Sequence, residues 1–495
     1  MNLIAVLLPP LIAAALTGIP SKKSWWAPGV SVLSCLVVLL LAGRMAWRIA
    51  LGSSLTAALG AGWSNWVAID GLSALILLLI ALVASTAAVY SVGYMAHGQL
   101  TQGKLRLYHV NYNLFIFSML AIPLLAEPTL VWIVVELTTL CSALLVSFEN
   151  TREALEAAWK YVVLSLMGAG FALFGFLVLF AAMHATGSGP YTWSALLAAA
   201  PTMPPLLTQT AFLVILIGLG TKVGLVPMHT WLPDAHSQAP SPVCALLSGI
   251  ETTSILYVIL RLFPVMQRVP GAHAQIWALV LGLISVGTAA FLLLQVTDYK
   301  RLLAFSTVEH MGIILTAVGL GASAHYGAVQ QIVSHSVTKS FCFFAAGATL
   351  LGVGTRQISA VRGLIRRAPI AGAALLLGGL AITGAPPLAV FLSEFAILRA
   401  GLVQSQYLVS GLLALFIVIA FFGVMVHVNR MVFGTAQANQ AQEDPPHEVE
   451  APRFRLPFSC TLALIVAAVP VIVLGLYIPA PLQELLKQAA AALGR

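Results

Sequence analysis

The sequence predicts an all-α, polytopic membrane protein of about fourteen spanning helices, with two inverted five-helix repeats. Three observations carry that reading. Of 495 residues, 60% are hydrophobic and only 8% are charged. A soluble domain averages roughly 25% charged residues, so this chain cannot cover a water-facing surface of its size. Apolar stretches of about 18 to 25 residues, the length a spanning helix needs, recur along the whole chain. They do not alternate with period two, which argues against a membrane β-barrel.

In order, the spans fall at 2–20, 28–50, 68–95, 109–126, 128–149, 153–184, 208–234, 240–265, 273–297, 301–321, 325–353, 369–400, 407–434 and 456–478. The first lacks a basic leader and reads as a span, not as a cleavable secretory signal. Asn150-Thr151-Arg152-Glu153 is a capping-box-like start for the sixth. In the seventh, Gly220-Thr221-Lys222-Val223-Gly224-Leu225-Val226-Pro227 sets a Gly-flanked proline in mid-span. Pro227 removes an amide donor and clashes with the preceding turn, so a broken helix is expected. Gly384-Ala385-Pro386-Pro387 predicts a similar break in the twelfth.

Breaks five spans apart suggest a repeat. The chain divides into helices one to three (1–108), a first repeat (109–265), a second repeat (273–434), a cytoplasmic loop (435–455), and a last helix with an amphipathic tail from about Ala480 (456–495). An odd number of spans per unit inverts the second copy. The loop carries Glu443, Asp444, Glu448 and Glu450, and the basic segment 355–367 suits a cytoplasmic interface.

With both termini outside, fifteen Lys and Arg residues fall on inside loops and seven on outside ends, leaving Lys222 and Lys339 within helices. That bias puts both termini outside, on the periplasmic face if the membrane is the cytoplasmic membrane of a bacterium, as is expected. The net charge of +8 is spread over short loops and does not read as a nucleic-acid patch. The five cysteines (Cys35, Cys141, Cys244, Cys342, Cys460) show no metal-ligand spacing, and no phosphate-loop or dinucleotide fingerprint is complete. No metal or cofactor site is expected in this chain.

A charge in mid-membrane costs at least about 2.5–3.5 kcal/mol on insertion scales, so it persists where it pairs, lines water or works. Here such groups are Glu136, Lys222, Glu251, Lys339 and Glu394, joined by His310 and His335. A Glu136–Lys222 pair can switch the lysine between charged and neutral forms, because burial and a nearby carboxylate act on it in opposite directions. His335 and Lys339 lie one turn apart on one helix face, and histidine can relay protons. Plainer readings compete with these. The charges can be static pairs that orient helices, the histidines satisfied core groups, Glu251 a protonated bystander, and Pro227 and Pro387 packing kinks. His229, Asp234 and His236 are explained by capping as well as by proton entry.

The run from Gly220 to His236, continuing through Ala239-Pro240-Ser241-Pro242-Val243, resembles the signature of the antiporter-like proton-translocating membrane subunits of complex I, multi-subunit cation/proton antiporters and membrane-bound hydrogenases. Asp298-Tyr299-Lys300-Arg301 through Val308-Glu309-His310-Met311-Gly312 is a second match. The resemblance runs from about Asp70 to the thirteenth helix. The wording of Val308–Gly312 and of His335-Ser336-Val337-Thr338-Lys339-Ser340 looks most like the hydrogenase-4 component F branch.

The resemblance implies roles. Glu136 would modulate Lys222, His335 and Lys339 would extend a central polar axis, and Glu394 would be the exit-side acid. It implies a non-catalytic, proton-pumping subunit of a redox complex, of the group 4 hydrogenase or formate hydrogenlyase type in preference to an NADH:quinone complex. Partner subunits would hold iron–sulfur clusters and, in the hydrogenase case, a nickel–iron site. A Na⁺/H⁺ antiporter module, a partner of a bicarbonate- or CO₂-uptake complex, and a purely structural scaffold are competing functions. One departure stands out. The bridging lysine of many family members would fall at Thr253, where a hydroxyl carries no charge. Glu251 or a water chain takes its place, or conduction between the halves is impaired. A long lateral helix is not evident in the sequence.

Overall fold

The computed structural model describes residues 3–52, 66–98, 100–187, 189–435 and 454–494. Among them every regular element is helical, with two isolated bridges, Val67–Leu125 and Asp298–Gln357. Twelve of these helices are long and apolar enough to cross a membrane, and Leu3–Gly18 and Pro369–Ile382 are shorter apolar helices. The polar connector expected around Glu443, Asp444, Glu448 and Glu450 lies outside the described residues.

The main helices are α1 (Leu8–Gly18), α2 (Trp26–Ala50), α3 (Gly71–His97), α4 (Gln102–Ala121), α5 (Pro128–Val146), α6 (Arg152–His184) and α7 (Pro205–Val223). Then come α8 (Ser241–Arg268), α9 (Ala274–Leu293), α10 (Tyr299–Leu320), α11 (Ala322–Val353), α12 (Pro369–Ile382), α13 (Ala389–Val403), α14 (Tyr407–Phe433), α15 (Phe458–Leu476) and α16 (Ala480–Ala491). Local chemistry sets many of their starts, because side-chain oxygens satisfy orphan amides. Asp70 caps α3 by accepting from Ser73 N at 2.9 Å. Thr151 caps α6 by accepting from Ala154 N, and Asp298 caps α10 by accepting from Lys300 N at 2.7 Å.

One boundary differs clearly from the hydropathy reading, and the tail gains a packing surface. α4 begins at Gln102, not near 109, because Thr101 caps it and the polar stretch with Lys104 and Arg106 continues the helix past its apolar part. The tail helix α16 is docked, not free. It packs on α3 and α11 and buries Leu485, Leu486 and Ala489.

A helix apolar all round belongs in the interior of a bundle. α8 is buried over its whole apolar window and α10 over nearly all of it, whereas α14 and α15 are buried on about a third. The interior helices are thus the ones that carry Glu251 and His310. α6 and α7 meet through small residues: a Cβ on Gly218 would lie 2.5 Å from Gly168 O and Ala172 N. Small residues let membrane helices approach this closely, and here they bring α6 against the end of α7.

α7 stops at Val223, with Gly224 in the left-handed region at φ 86°, and the chain resumes as the short helix Trp231–Gln238. Backbone freed at such depth must meet protein or water. Val226 N donates to Ser285 Oγ at 3.0 Å, and the Trp231 indole donates to Thr221 O at 2.7 Å. The twelfth span is likewise two pieces, α12 and α13, with Gly384 at φ 68° between them. There His310 Nε2 donates to Ile382 O at 2.9 Å, and Ser334 Oγ donates to Ala389 O at 3.1 Å. Pro227 lies in the first break, and Pro386 and Pro387 in the second.

Candidate functional site

Lys222 sits in the last turn of α7, two residues before the capping Gly224. Its Nζ lies 3.2 Å from Glu251 Oε1, with both side chains almost fully buried. The ammonium also donates to Thr139 Oγ1 and, at 3.4 Å, to the Tyr161 hydroxyl. Glu251 Oε1 accepts from Thr138 Oγ1 at 3.1 Å and from the Tyr161 hydroxyl at 3.0 Å. Tyr161 also shares a 2.7 Å hydrogen bond with Ser142, and its ring lies 4.5 Å from that of Trp231. Hydroxyls from α5 and α6 thus take the place of water around the pair. That is the condition under which a buried ion pair is tolerated.

The pair expected between Glu136 and Lys222 is not formed. Both Glu136 carboxylate oxygens lack a hydrogen-bond partner among the described residues. The cause is the local winding of α8. Residues Leu247–Glu251 form a π turn, and Thr252–Leu260 return to α geometry. A π turn inserts a residue and re-aims the side chains around it, often at functional sites. Here Glu251 reaches Lys222. On α5, Thr139, one turn beyond Glu136, takes the hydrogen bond instead.

Between the two breaks, Thr253 does not bridge. Its hydroxyl donates back to Gly249 O and Ile250 O on its own helix. The contact between the halves runs through Ser248. Its carbonyl accepts from His335 Nε2 at 3.0 Å, and its hydroxyl bonds Thr307 at 2.6 Å. The His335 and His310 rings lie 5.1 Å apart. His310 donates from Nε2 to Ile382 O, so its Nδ1 accepts from Gln331 Nε2 at 3.1 Å. Gln331 in turn accepts from Ser393. His335 Nδ1 has no partner among the described residues.

In the second half, Lys339 Nζ donates to Leu303 O and Ser306 Oγ, both at 2.5 Å, and these neutral oxygens hold it in place of a carboxylate. Glu394 lies on α13 with its carboxylate against Gly384, where an added Cβ would collide with it. Glu309, on the face of α10 one turn beyond Ser306, is a further buried carboxylate.

Charges also close the two ends of the bundle. At the end where α6 and α10 begin, Asp234 pairs with Lys160 at 3.1 Å and with Arg301. Lys300, expected on a loop, is buried and donates to Ala239 O at 2.5 Å. His236 Nδ1 donates to Leu232 O at 2.8 Å. At the opposite end Asp70 pairs with Arg261. Among the described residues no group of three or more His, Cys, Asp or Glu side chains is arranged to hold a metal ion.

These polar groups are buried in a helical membrane protein, and comparisons with known proteins show its family and fold. The sequence model described as NADH:quinone oxidoreductase/Mrp antiporter, TM, matches residues 126–422. The chain belongs to this family. The model described as NADH-Ubiquinone oxidoreductase (complex I), chain 5 N-terminus, matches residues 65–102. This antiporter-like membrane subunit is 37% identical to the Hydrogenase-4 component F homolog of Methylacidiphilum infernorum, over 75% of this chain and 80% of that one. It is 32% identical to Hydrogenase-4 component B of Escherichia coli, over 66% of this chain and 49% of that longer one. Two solved structures share the fold, each with a TM-score of 0.86 over 99% of this chain and 96% of theirs. They are an archaeal membrane-bound sulfane sulfur reductase, at 23% identity, and the Mrp complex of Dietzia sp. DQ12-45-1b, at 20%.

Three parts of this network lie outside the line read from the sequence. Tyr161 carries no local signal, since a tyrosine in a long spanning helix is ordinary. Thr138 and Thr139 are equally silent. Glu309 is different: it is an acid in mid-span, the same signal that singled out Glu136, and it sits inside the Val308–Gly312 motif.

Proposed function

We propose that this chain is the proton-translocating, antiporter-like subunit of a membrane-bound redox complex of the group 4 hydrogenase or formate hydrogenlyase type. The observation that carries the reading is the Lys222–Glu251 pair, buried beside a helix break with a second carboxylate, Glu136, unpartnered on the adjoining α5. A buried lysine with two candidate partners can change its proton affinity by changing partner. While Glu251 holds Lys222, the lysine keeps its proton. When the pair opens, the desolvated ammonium gives its proton up.

The next acceptors are the histidines. Ser248, one turn before Glu251, receives the His335 hydrogen bond, so Glu251 and not Thr253 is the bridge between the halves. From His335 and His310 the line continues to Lys339, Glu309 and Glu394 at the second break. Helices α4 to α8 and the spans from α9 to α14 are the two inverted repeats, and both termini face outside. Redox partners hold the iron–sulfur clusters and the nickel–iron site. This chain supplies the path and no catalysis, and its coupling to the partners is conformational or electrostatic.

The relatives named hydrogenase-4 components support this choice. A relative named Na(+)/H(+) antiporter subunit A1 in Staphylococcus aureus, 31% identical, supports a second reading as a cation antiporter module. Mass spectrometry of chains that co-purify with this one separates them. A nickel–iron large subunit is expected. Antiporter subunits alone, with charge movement strictly dependent on sodium, would overturn the hydrogenase assignment.

A further inference from the structure

The line described above leaves part of α8 unused. Glu251, Ser254, Tyr257 and Arg261 recur at spacings of three, three and four, which sets them along one side of the helix. The stripe is about 15 Å long at 1.5 Å per residue. Glu251, Ser254 and Tyr257 are buried. Each position carries a group that can donate or accept a proton, or a fixed charge, in a helix whose other residues on this stretch are mostly apolar.

The stripe ends in a polar knot. Tyr257 and Ser73 share a 3.0 Å hydrogen bond. Arg261 Nε donates to the Tyr257 hydroxyl at 2.9 Å, and its other nitrogens donate to Ser73 Oγ and to both oxygens of Asp70. The Arg261 side chain is 14% exposed and that of Asp70 is 41% exposed, so the pair stands at the boundary between interior and surface. Burial works against the Asp70 carboxylate, but the Arg261 guanidinium and the Ser73 amide outweigh it and hold its carboxyl below the ordinary value. Beyond the pair lies a cavity of about 770 Å³, lined by Asp70, Tyr257, Arg261, Arg268 and Trp193 and rimmed by the end of the tail helix at Ala491.

We propose that this stripe is a second proton branch, running from the Lys222–Glu251 pair to the cavity, and that the Arg261–Asp70 pair is its gate. The inference rests on the proton-translocating reading of Lys222 and Glu251. In the closed arrangement, Arg261 caps the Tyr257 oxygen. A fixed guanidinium at a polar constriction repels cations, and an arginine so placed excludes protons from other membrane pores. A proton in the cavity therefore meets a positive charge before it meets the first hydroxyl. The branch opens only if Arg261 releases the Tyr257 oxygen while its pair with Asp70 holds it aside. Ser254 Oγ donates to Ile250 O at 2.6 Å in the closed arrangement, so it must also turn before Tyr257 can exchange its proton with Ser254, and Ser254 with Glu251. No bond other than O–H and N–H forms or breaks along the stripe. A gate is needed here because Thr253 offers no cationic bridge to draw protons into the second half.

Passive proton leak tests this in the assembled complex, reconstituted in proteoliposomes without redox turnover. A pH gradient is imposed, and an entrapped pH-sensitive dye reports its decay. The variant that replaces Arg261→Gln and Asp70→Asn together removes the gate while leaving no uncompensated buried charge. It should leak several-fold faster than the unaltered complex. Adding Tyr257→Phe or Ser254→Ala, each of which removes only a hydroxyl, should bring the leak back to the starting rate. Arg261→Gln alone is the second opening variant and should also leak. A leak unchanged in the opened variants overturns the branch, as does a leak that persists with Tyr257→Phe. These outcomes are separate from the reading on which the branch rests, since that reading is tested by redox-driven pumping in Lys222→Ala.

Discussion

Lys222 and Glu251 stand 3.2 Å apart on α7 and α8, where the fifth-helix acid, Glu136, would have been looked for. Their separation in sequence is short, but their contact depends on two irregularities, the helix break after Val223 and the π turn at Leu247–Glu251. The two carboxylates should therefore behave differently on substitution. Glu251→Gln leaves a buried ammonium without its counter-charge, which costs about 3–5 kcal/mol when one partner of a buried pair is removed. Glu136→Gln removes a group with no hydrogen bond to lose. Thermal unfolding of the purified complex should fall clearly for Glu251→Gln and little for Glu136→Gln. Equal losses would contradict the assignment of the pair.

Tyr161 offers one hydroxyl to Lys222, Glu251 and Ser142. Tyr161→Phe keeps the ring packed on Trp231 and removes that hydroxyl. Leaving buried acceptors unmet costs about 1–3 kcal/mol, so the complex should assemble. The proton yield per electron should nonetheless drop, because the cage no longer holds the pair in register. Fluorescence quenching of a pH-sensitive dye in inverted vesicles reads this directly, and an unaltered yield would reduce Tyr161 to packing.

Thr253→Val is the complementary test. The Thr253 hydroxyl satisfies only carbonyls of its own helix, and replacement by an apolar group of the same shape is close to neutral in such a setting. Pumping and stability should both match the unaltered complex. A large loss would restore Thr253 to the bridge and displace Glu251.

Gly384 should tolerate no side chain. It has φ 68°, and an added Cβ would occupy the space of the Glu394 carboxylate. Alanine at a positive φ destabilises by more than about 0.4–1 kcal/mol. Gly384→Ala should lower both the melting temperature and pumping, whereas Gly411→Ala, which meets open space, should change neither.

The parts of this structure legible in the sequence are those set by solvent and by local chemistry. Lipid leaves long apolar runs, so the spans can be read. Proline and glycine act within a turn, so the breaks around Pro227 and Pro386 can be read as well. Thr151 caps α6 for the same local reason. What could not be read depends on how helices are rotated against one another. Nothing in Leu247–Glu251 announces a π turn, yet that turn decides which acid meets Lys222. Lys300 reads as a loop charge until the Ala239 carbonyl is seen to receive it. The tail helix reads as amphipathic, but the surface it covers on α3 and α11 is a tertiary fact.

In the proposed function Lys222 carries protons and is not merely half of a structural pair. The most direct measurement is redox-driven proton translocation by the assembled complex in proteoliposomes, with Lys222→Ala and Glu251→Ala combined so that neither partner of the pair is left without the other. Electron transfer should continue while the protons moved per electron fall. If the double variant assembles and pumps with the unaltered yield, the pair is a scaffold and Lys222 carries no pumped proton.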